Sequence, residues 1–312
     1  MRPLVVSSLL ARLPKGMLPL TLVVLVGRQT GSYAVAGAVA ALFAAGDAAT
    51  APWKGWLVDR YGAARTFVPA VVLHLLAVVG LLGLAATGLI ALAGAAVATA
   101  VAAAILAGGT VAFVVAIRGS RPDRRTPGLH GALRIAAVRI LCVSTLLQSM
   151  TFGVMPVALV AASTRAGLPA AAGIVQAALT FGGVVGTFRT VEGSSYLGLM
   201  ARYSFCLLPL PLFAMIESPA GLVGLALTLL ATGLLTTPLA AAAYLPIRTE
   251  TSAGSRTEAF SWLSTGQAIG TALGSALGGA LIDHGGPVAA FVVPSVAVGL
   301  AAALLRLSSA SR

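Results

Sequence analysis

Apolar stretches of roughly twenty residues recur from end to end of the chain, and each is long enough to cross a hydrocarbon core about 30 Å thick. A water-soluble bundle needs a polar face on every helix, and most of these stretches have none. In lipid the backbone must satisfy its own hydrogen bonds, which leaves helices or closed barrels. Barrel strands are about ten residues long and alternate in polarity; these stretches do neither. The chain is therefore expected to be all-α, a polytopic membrane helix bundle. Composition agrees: 58% of residues are hydrophobic and 9% charged, where soluble domains carry about 25% charged residues.

Ten transmembrane helices are expected, at about 3–27, 32–58, 67–87, 89–117, 133–162, 167–187, 197–216, 219–246, 257–282 and 286–307. No cleavable signal peptide is expected, because Arg12 and Lys15 interrupt the first apolar stretch. The net charge of +12 does not point to nucleic acid, since the basic residues sit in short loops without an aromatic platform for bases. Positive-inside asymmetry accounts for them. With the N-terminus placed in the cytoplasm and the segments alternating, only Arg28 and Arg165 among the loop cations fall outside. Both termini are then cytoplasmic and the protein a multi-pass component of the cell membrane, with the lipid bilayer as its surroundings.

The longest polar stretch, "RGSRPDRRTPGLHG", spans Arg118 to Gly131. Its Pro, Gly and Arg content marks a solvated cytoplasmic loop, a topology anchor or a contact for lipid headgroups. It divides the chain into a four-helix bundle over 1–117, a basic linker over 118–132 and a six-helix bundle over 133–312.

Charge is concentrated in "WKGWLVDRYGAAR", Trp53 to Arg65, between the second and third segments. Glycine permits a tight turn there, and a short acid can rest against the positive N-terminus of another helix. Ser255 followed by Glu258 has the spacing of a capping box and marks a helix start on the same side. Glu258 either caps that helix alone or also joins a charge network with Arg60 or Arg65. Further on, Gly266, Gly270, Gly274 and Gly278 recur every four residues, a groove in which another helix can pack closely. Such a smooth surface also suits helices that slide past one another.

Charges within the apolar segments are costly unless paired or hydrated. Asp47 and Lys15 each lie about 18 Å from the cytoplasmic end of their segments, with Arg12 one turn shallower. They form either a static ion pair between the first two helices or a substrate- or proton-coupled site. Gln148, Gln176 and Gln267 either line a polar cavity or bridge helices. Pro14, Pro19, Pro156, Pro209, Pro211, Pro238 and Pro246 are expected to kink or end helices. Cys142 and Cys206 lie in apolar runs with no CxxC spacing, and His74, His130 and His284 have no ligand spacing. No metal site, cofactor or enzymatic activity is expected; there is no Walker loop, GxSxG or HExxH.

Gly55, Leu57, Asp59, Arg60, Gly62 and Arg65 follow G-x-L-x-D-R-x-G-x-x-R. This resembles the signature loop between helices two and three of the major facilitator superfamily, G-x-L-x-D-R-x-G-R-[RK], with Ala63 and Ala64 in place of the usual basic pair. The resemblance implies that the loop acid latches two halves together in the outward-facing state. It also implies twelve helices, six plus six, with four between the signature loop and the basic loop. Here two lie between them, so the resemblance implies a shortened four-plus-six arrangement lacking the fourth and fifth helices. The Arg and Gly-Pro motifs those helices carry in the family are absent with them. A second copy of the chain is one way to cover the resulting gap. The expected function is secondary active transport of a small organic molecule, proton-coupled efflux by alternating access. The alternative is a degenerate, non-transporting homologue that serves as a membrane binding or scaffold protein.

Overall fold

The computed structural model describes residues 19–46, 132–188, 195–250 and 256–310, and all regular structure among them is helical. Helix α1 covers 19–30 and α2 Tyr33–Gly46, joined through Gly31 at a φ of 68°. A 3-10 turn at Ala132–Arg134 precedes α3 (Ala136–Arg165) and α4 (Ala171–Gly186). Then follow α5 (Tyr196–Leu207), α6 (Leu210–Ala214), α7 (Pro219–Glu250) and α8 (Arg256–Ala310). Pro156, Pro238 and Pro246 lie inside α3 and α7, whereas Pro209 and Pro211 fall at the break between α5 and α6. At Gly286 the backbone leaves helical geometry, with φ 75° and ψ −178°. That position divides α8 into two arms, 256–285 and 287–310.

Among the described residues, four stretches are helical, long and apolar enough to cross a membrane: Ala136–Arg165, Tyr196–Ala214, Pro219–Ile247 and Glu258–Ser308. This is fewer than the ten expected from sequence. The segments expected at 67–87 and 89–117 lie outside the described residues. Tyr33–Gly46 and Ala171–Gly186 are apolar but shorter, and the last two expected segments run together through Gly286. The outer surface is that of a membrane protein. Ile174, Phe181, Phe205, Leu212, Leu227 and Leu307 are all more than 60% exposed, a distribution that water disfavours and hydrocarbon accepts.

Helix α3 is buried along most of its length and carries the rest of the bundle. Its partner is the first arm of α8, and small residues set the distance. The Gly266, Gly270 and Gly274 Cα atoms face the carbonyl oxygens of Cys142, Leu146 and Met150, and Gly278 faces Val154. From the other side, Gly153 faces the backbone of Thr271 and Ser275. Paired numbers rise together, so these two helices run parallel. Helices α4 and α7 repeat the arrangement through Gly182, Gly186 and Gly233, again in parallel register.

Hydroxyl groups are satisfied mostly within the same helix. Thr145 donates to the Leu141 carbonyl at 2.5 Å, Thr164 to Val160 at 2.7 Å and Thr232 to Thr228 at 2.8 Å. Bonding to the carbonyl four residues back lets a polar side chain sit in an apolar interior. Others cross between helices: Ser275 donates to the Gly153 carbonyl at 3.1 Å, and Thr237 to Gly183 at 2.8 Å. The main apolar core, built around Tyr203, Phe291, Met155 and Leu159, fills the space between α3, α5, α7 and the second arm of α8.

A methyl group added at Gly270 or Gly274 would meet the backbone of α3, whereas one at Gly173 on α4 meets nothing within 4 Å. Gly270→Ala and Gly274→Ala are each expected to destabilise the protein by about 1–3 kcal/mol through overpacking. Gly173→Ala is expected to be neutral or to stabilise by up to about 1 kcal/mol through helix propensity. Thermal unfolding in detergent, followed by circular dichroism, measures both; equal effects at the three sites would contradict the packing argument.

Candidate functional site

An early and a late helix of the chain meet where α2 crosses the first arm of α8. Buried Ala36, Ala40 and Ala44 turn one face of α2 inward. Between them Gly37 faces the carbonyl of Ser275 and the backbone of Gly279. Gly279 in turn faces the Tyr33 carbonyl and Ala34. One set of numbers rises as the other falls, so α2 and α8 are antiparallel, backbone against backbone.

At one end of this crossing Asp283 closes the contact. Its carboxylate accepts hydrogen bonds from the Ser32 hydroxyl at 2.7 Å, the Tyr33 N–H at 3.0 Å and the Ala34 N–H at 3.0 Å. Ser32 Oγ also accepts from the Val35 N–H at 3.3 Å. The first N–H groups of a helix have no intrahelical partner and carry partial positive charge. Ser32 thus caps α2 locally through the Val35 N–H, and an acid 250 residues away in sequence takes the two N–H groups that this cap leaves, those of Tyr33 and Ala34.

The neighbouring turn is polar too. Arg165, at the end of α3, pairs with Glu217 at 3.0 Å, both about half exposed. The Arg165 guanidinium lies over Gly286, where a side chain would strike it. His284 Nδ1 lies 2.8 Å from the Ala280 carbonyl. Asp283, Arg165, Glu217 and Gly286 thus gather at one end of the bundle.

Glu258 stands at the other end, about 38 Å along a straight helix from Asp283. Both its carboxylate oxygens are buried and lack a hydrogen-bond partner among the described residues. Its chain neighbour Ala259 belongs to a small apolar cluster with Ala132, Val138, Leu141, Ile247 and Leu263. The reach back to the helix N-cap that a capping box requires involves Ser255, which lies outside the described residues.

Between these ends runs a polar seam without charge. Ser144, Thr145, Gln148, Ser149 and Thr151 are buried on α3. Ser144 Oγ and the Tyr196 hydroxyl are 3.2 Å apart. Two turns further on, the fully buried Tyr203 has its hydroxyl in the neighbourhood of Thr151, Thr236 and Gln148. The Tyr203 hydroxyl, Thr151 Oγ1 and Gln176 Oε1 have no hydrogen-bond partner among the described residues. Chemically, the seam offers donors and acceptors to a neutral polar group and no counter-ion to a charged one.

The sequence singles out the stripe Gly266, Gly270, Gly274 and Gly278, and the structure places it against α3. It also singles out Gln148, which joins the seam. Arg12, Lys15, Asp47, Gly55, Asp59, Arg60, Gly62, Arg65 and Ser255 lie outside the described residues. Asp283 and Ser32 are not found by sequence reasoning. The signal available was a lone acid in "LIDHGGP" where an apolar run breaks at a glycine pair. No family model and no curated protein matches the chain.

Gly286→Ala places a side chain at positive φ and against Arg165, and is expected to lower stability by about 1–3 kcal/mol. Glu217→Ala removes an exposed ion pair and is expected to cost less than about 1 kcal/mol. Thermal unfolding of the two variants side by side checks the order; a larger loss for Glu217→Ala would reverse it.

Proposed function

We propose that the chain is a facilitator-type secondary transporter, similar to the major facilitator superfamily in a shortened four-plus-six arrangement, and that it moves a small organic molecule across the cytoplasmic membrane by proton-coupled efflux. The observation that carries this reading is the antiparallel crossing of α2 and α8, where an early and a late part of the chain meet through Gly37 and Gly279 and are held at one end by Asp283. Alternating access needs two bodies that touch through smooth surfaces and separate at one end while closing at the other. Glycine faces with polar contacts at their ends fit that need. The directions of α2, α3 and α8 also agree with consecutive segments that alternate across the membrane, with two more between α2 and α3.

In this reading the uncharged seam of Gln148, Thr151 and Tyr203 faces substrate through hydrogen bonds. The charged pair of the first half, Asp47 with Lys15 or Arg12, carries the proton. Asp59, Arg60 and Arg65, between glycines Gly55 and Gly62, gate the cytoplasmic end together with Glu258. Both termini lie in the cytoplasm. A second copy of the chain can cover the wall left by the missing helices.

Counterflow in proteoliposomes over a panel of drugs and sugars tests the proposal. The wild type is expected to exchange at least one compound in a pH-dependent manner, and Asp47→Asn to lose the pH dependence while still reaching the membrane in normal amounts. Unchanged transport in Asp47→Asn removes that residue from coupling. No exchange by the wild type would favour a non-transporting binding or scaffold protein.

A further inference from the structure

We propose that the contact between Asp283 and the first turn of α2 is a reversible latch, closing the end of the bundle at which α1 joins α2. What the latch gates rests on the transporter reading; the latch itself does not.

Three features separate it from an ordinary helix cap. The acid comes from another helix, so opening the contact separates two elements and does not merely fray one. The Asp283 carboxylate is exposed and its three donors, on Ser32, Tyr33 and Ala34, are half-buried at the edge of the contact, so water can reach each bond as it breaks and limits the desolvation penalty. Below the latch, α2 and α8 meet through Gly37, Gly279 and the Ser275 backbone, a face with few side chains interlocked across it. Separation there strips little knob-into-hole packing.

A break in α8 lies immediately beyond. Gly286 sits at φ 75° between the two arms of α8, a conformation open to glycine at little cost. Pro287 follows it and has no N–H to continue the hydrogen-bond ladder. The second arm is held elsewhere: Ser295 donates to the Leu207 carbonyl at 2.9 Å, and Phe291 and Val298 are fully buried. The second arm therefore stays docked and the first stays packed on α3 through its glycines, while α2 swings away from the first arm as the latch opens. The residues facing Asp283 are Ser32, Tyr33 and Ala34 from α2, with His284 beside it on α8. Among the described residues none of them brings a fixed charge that would lock the acid permanently.

The experiment uses the full chain in lipid nanodiscs with Cys142→Ala and Cys206→Ala. Spin labels go at Gln29→Cys, beside the latch, and Leu168→Cys, on the loop after α3. Hydrogen exchange at the Tyr33 and Ala34 amides is read in parallel. Asp283→Ala is expected to raise that exchange at least about tenfold, as loss of a charge-assisted bond implies, and to add a longer label separation that is minor in the parent. Asp283→Asn, which keeps an acceptor without the charge, is expected to fall between, and serves if Asp283→Ala does not fold. Faster exchange with an unchanged separation makes Asp283 a static cap and overturns the latch, as does no change in either. Counterflow is measured on the same proteins. A silent wild type counts against transport, whereas the separation still decides the latch.

Discussion

The approach of one helix backbone to another, without side chains between them, is the contact on which the bundle depends. The first arm of α8 lies on α3 through Gly266, Gly270 and Gly274 on one side and Gly153 on the other. In lipid there is no hydrophobic force to press two apolar helices together, because the tails outside are as apolar as the helices. What remains is dispersion at close range and the occasional interhelical hydrogen bond. Glycine brings the backbones close enough for the first, and Ser275 on the Gly153 carbonyl supplies the second. The same solution joins α4 to α7 and α2 to α8, so three crossings share one chemistry.

Those crossings differ in what surrounds them. Helix α3 is covered on nearly every side, and its contact with α8 is continued by a long series of buried side chains from Val138 to Ala162. The crossing of α2 with α8 has an exposed carboxylate at its edge. A contact sealed within a core must be broken as a unit, while one that ends in a solvated polar cap can open from its edge. The expected overpacking cost of Gly270→Ala and Gly274→Ala concerns the first kind, and the bundle's moving parts are of the second.

Helix positions were legible in the sequence wherever an apolar run was bounded by charge or by proline. The run expected at 133–162 is α3 at Ala136–Arg165, and the run at 219–246 lies within α7 at Pro219–Glu250. The stripe beginning at Gly266 was legible because small residues four apart share a helix face. Its register against Leu146 and Met150 was not, since nothing in an Ala- and Leu-rich sequence marks which carbonyls lie opposite. Asp283 was invisible for a related reason. A lone acid next to His284 reads as a solvated loop residue, and its partners on α2 are 250 positions away. The seam at Gln148, Thr151, Tyr203 and Thr236 shows the same limit: residue types announce polarity, but only the fold shows three helices bringing that polarity together.

The distribution of charge along α8 connects packing to mechanism. Between Glu258 and Asp283 the first arm carries no ionisable side chain, and the two acids are separated by about 38 Å, more than a hydrocarbon core about 30 Å thick. Each acid can therefore reach an interface while the glycine-rich middle remains in the apolar layer. Movement of α2 along such a helix adds no desolvation cost from the arm, because the arm carries no charge through the core. Its contacts can change at either end while its middle stays packed on α3 or slides along α2. Charge confined to the ends of a smooth helix leaves one rigid element with an acid near each edge of an apolar layer and nothing ionisable between them.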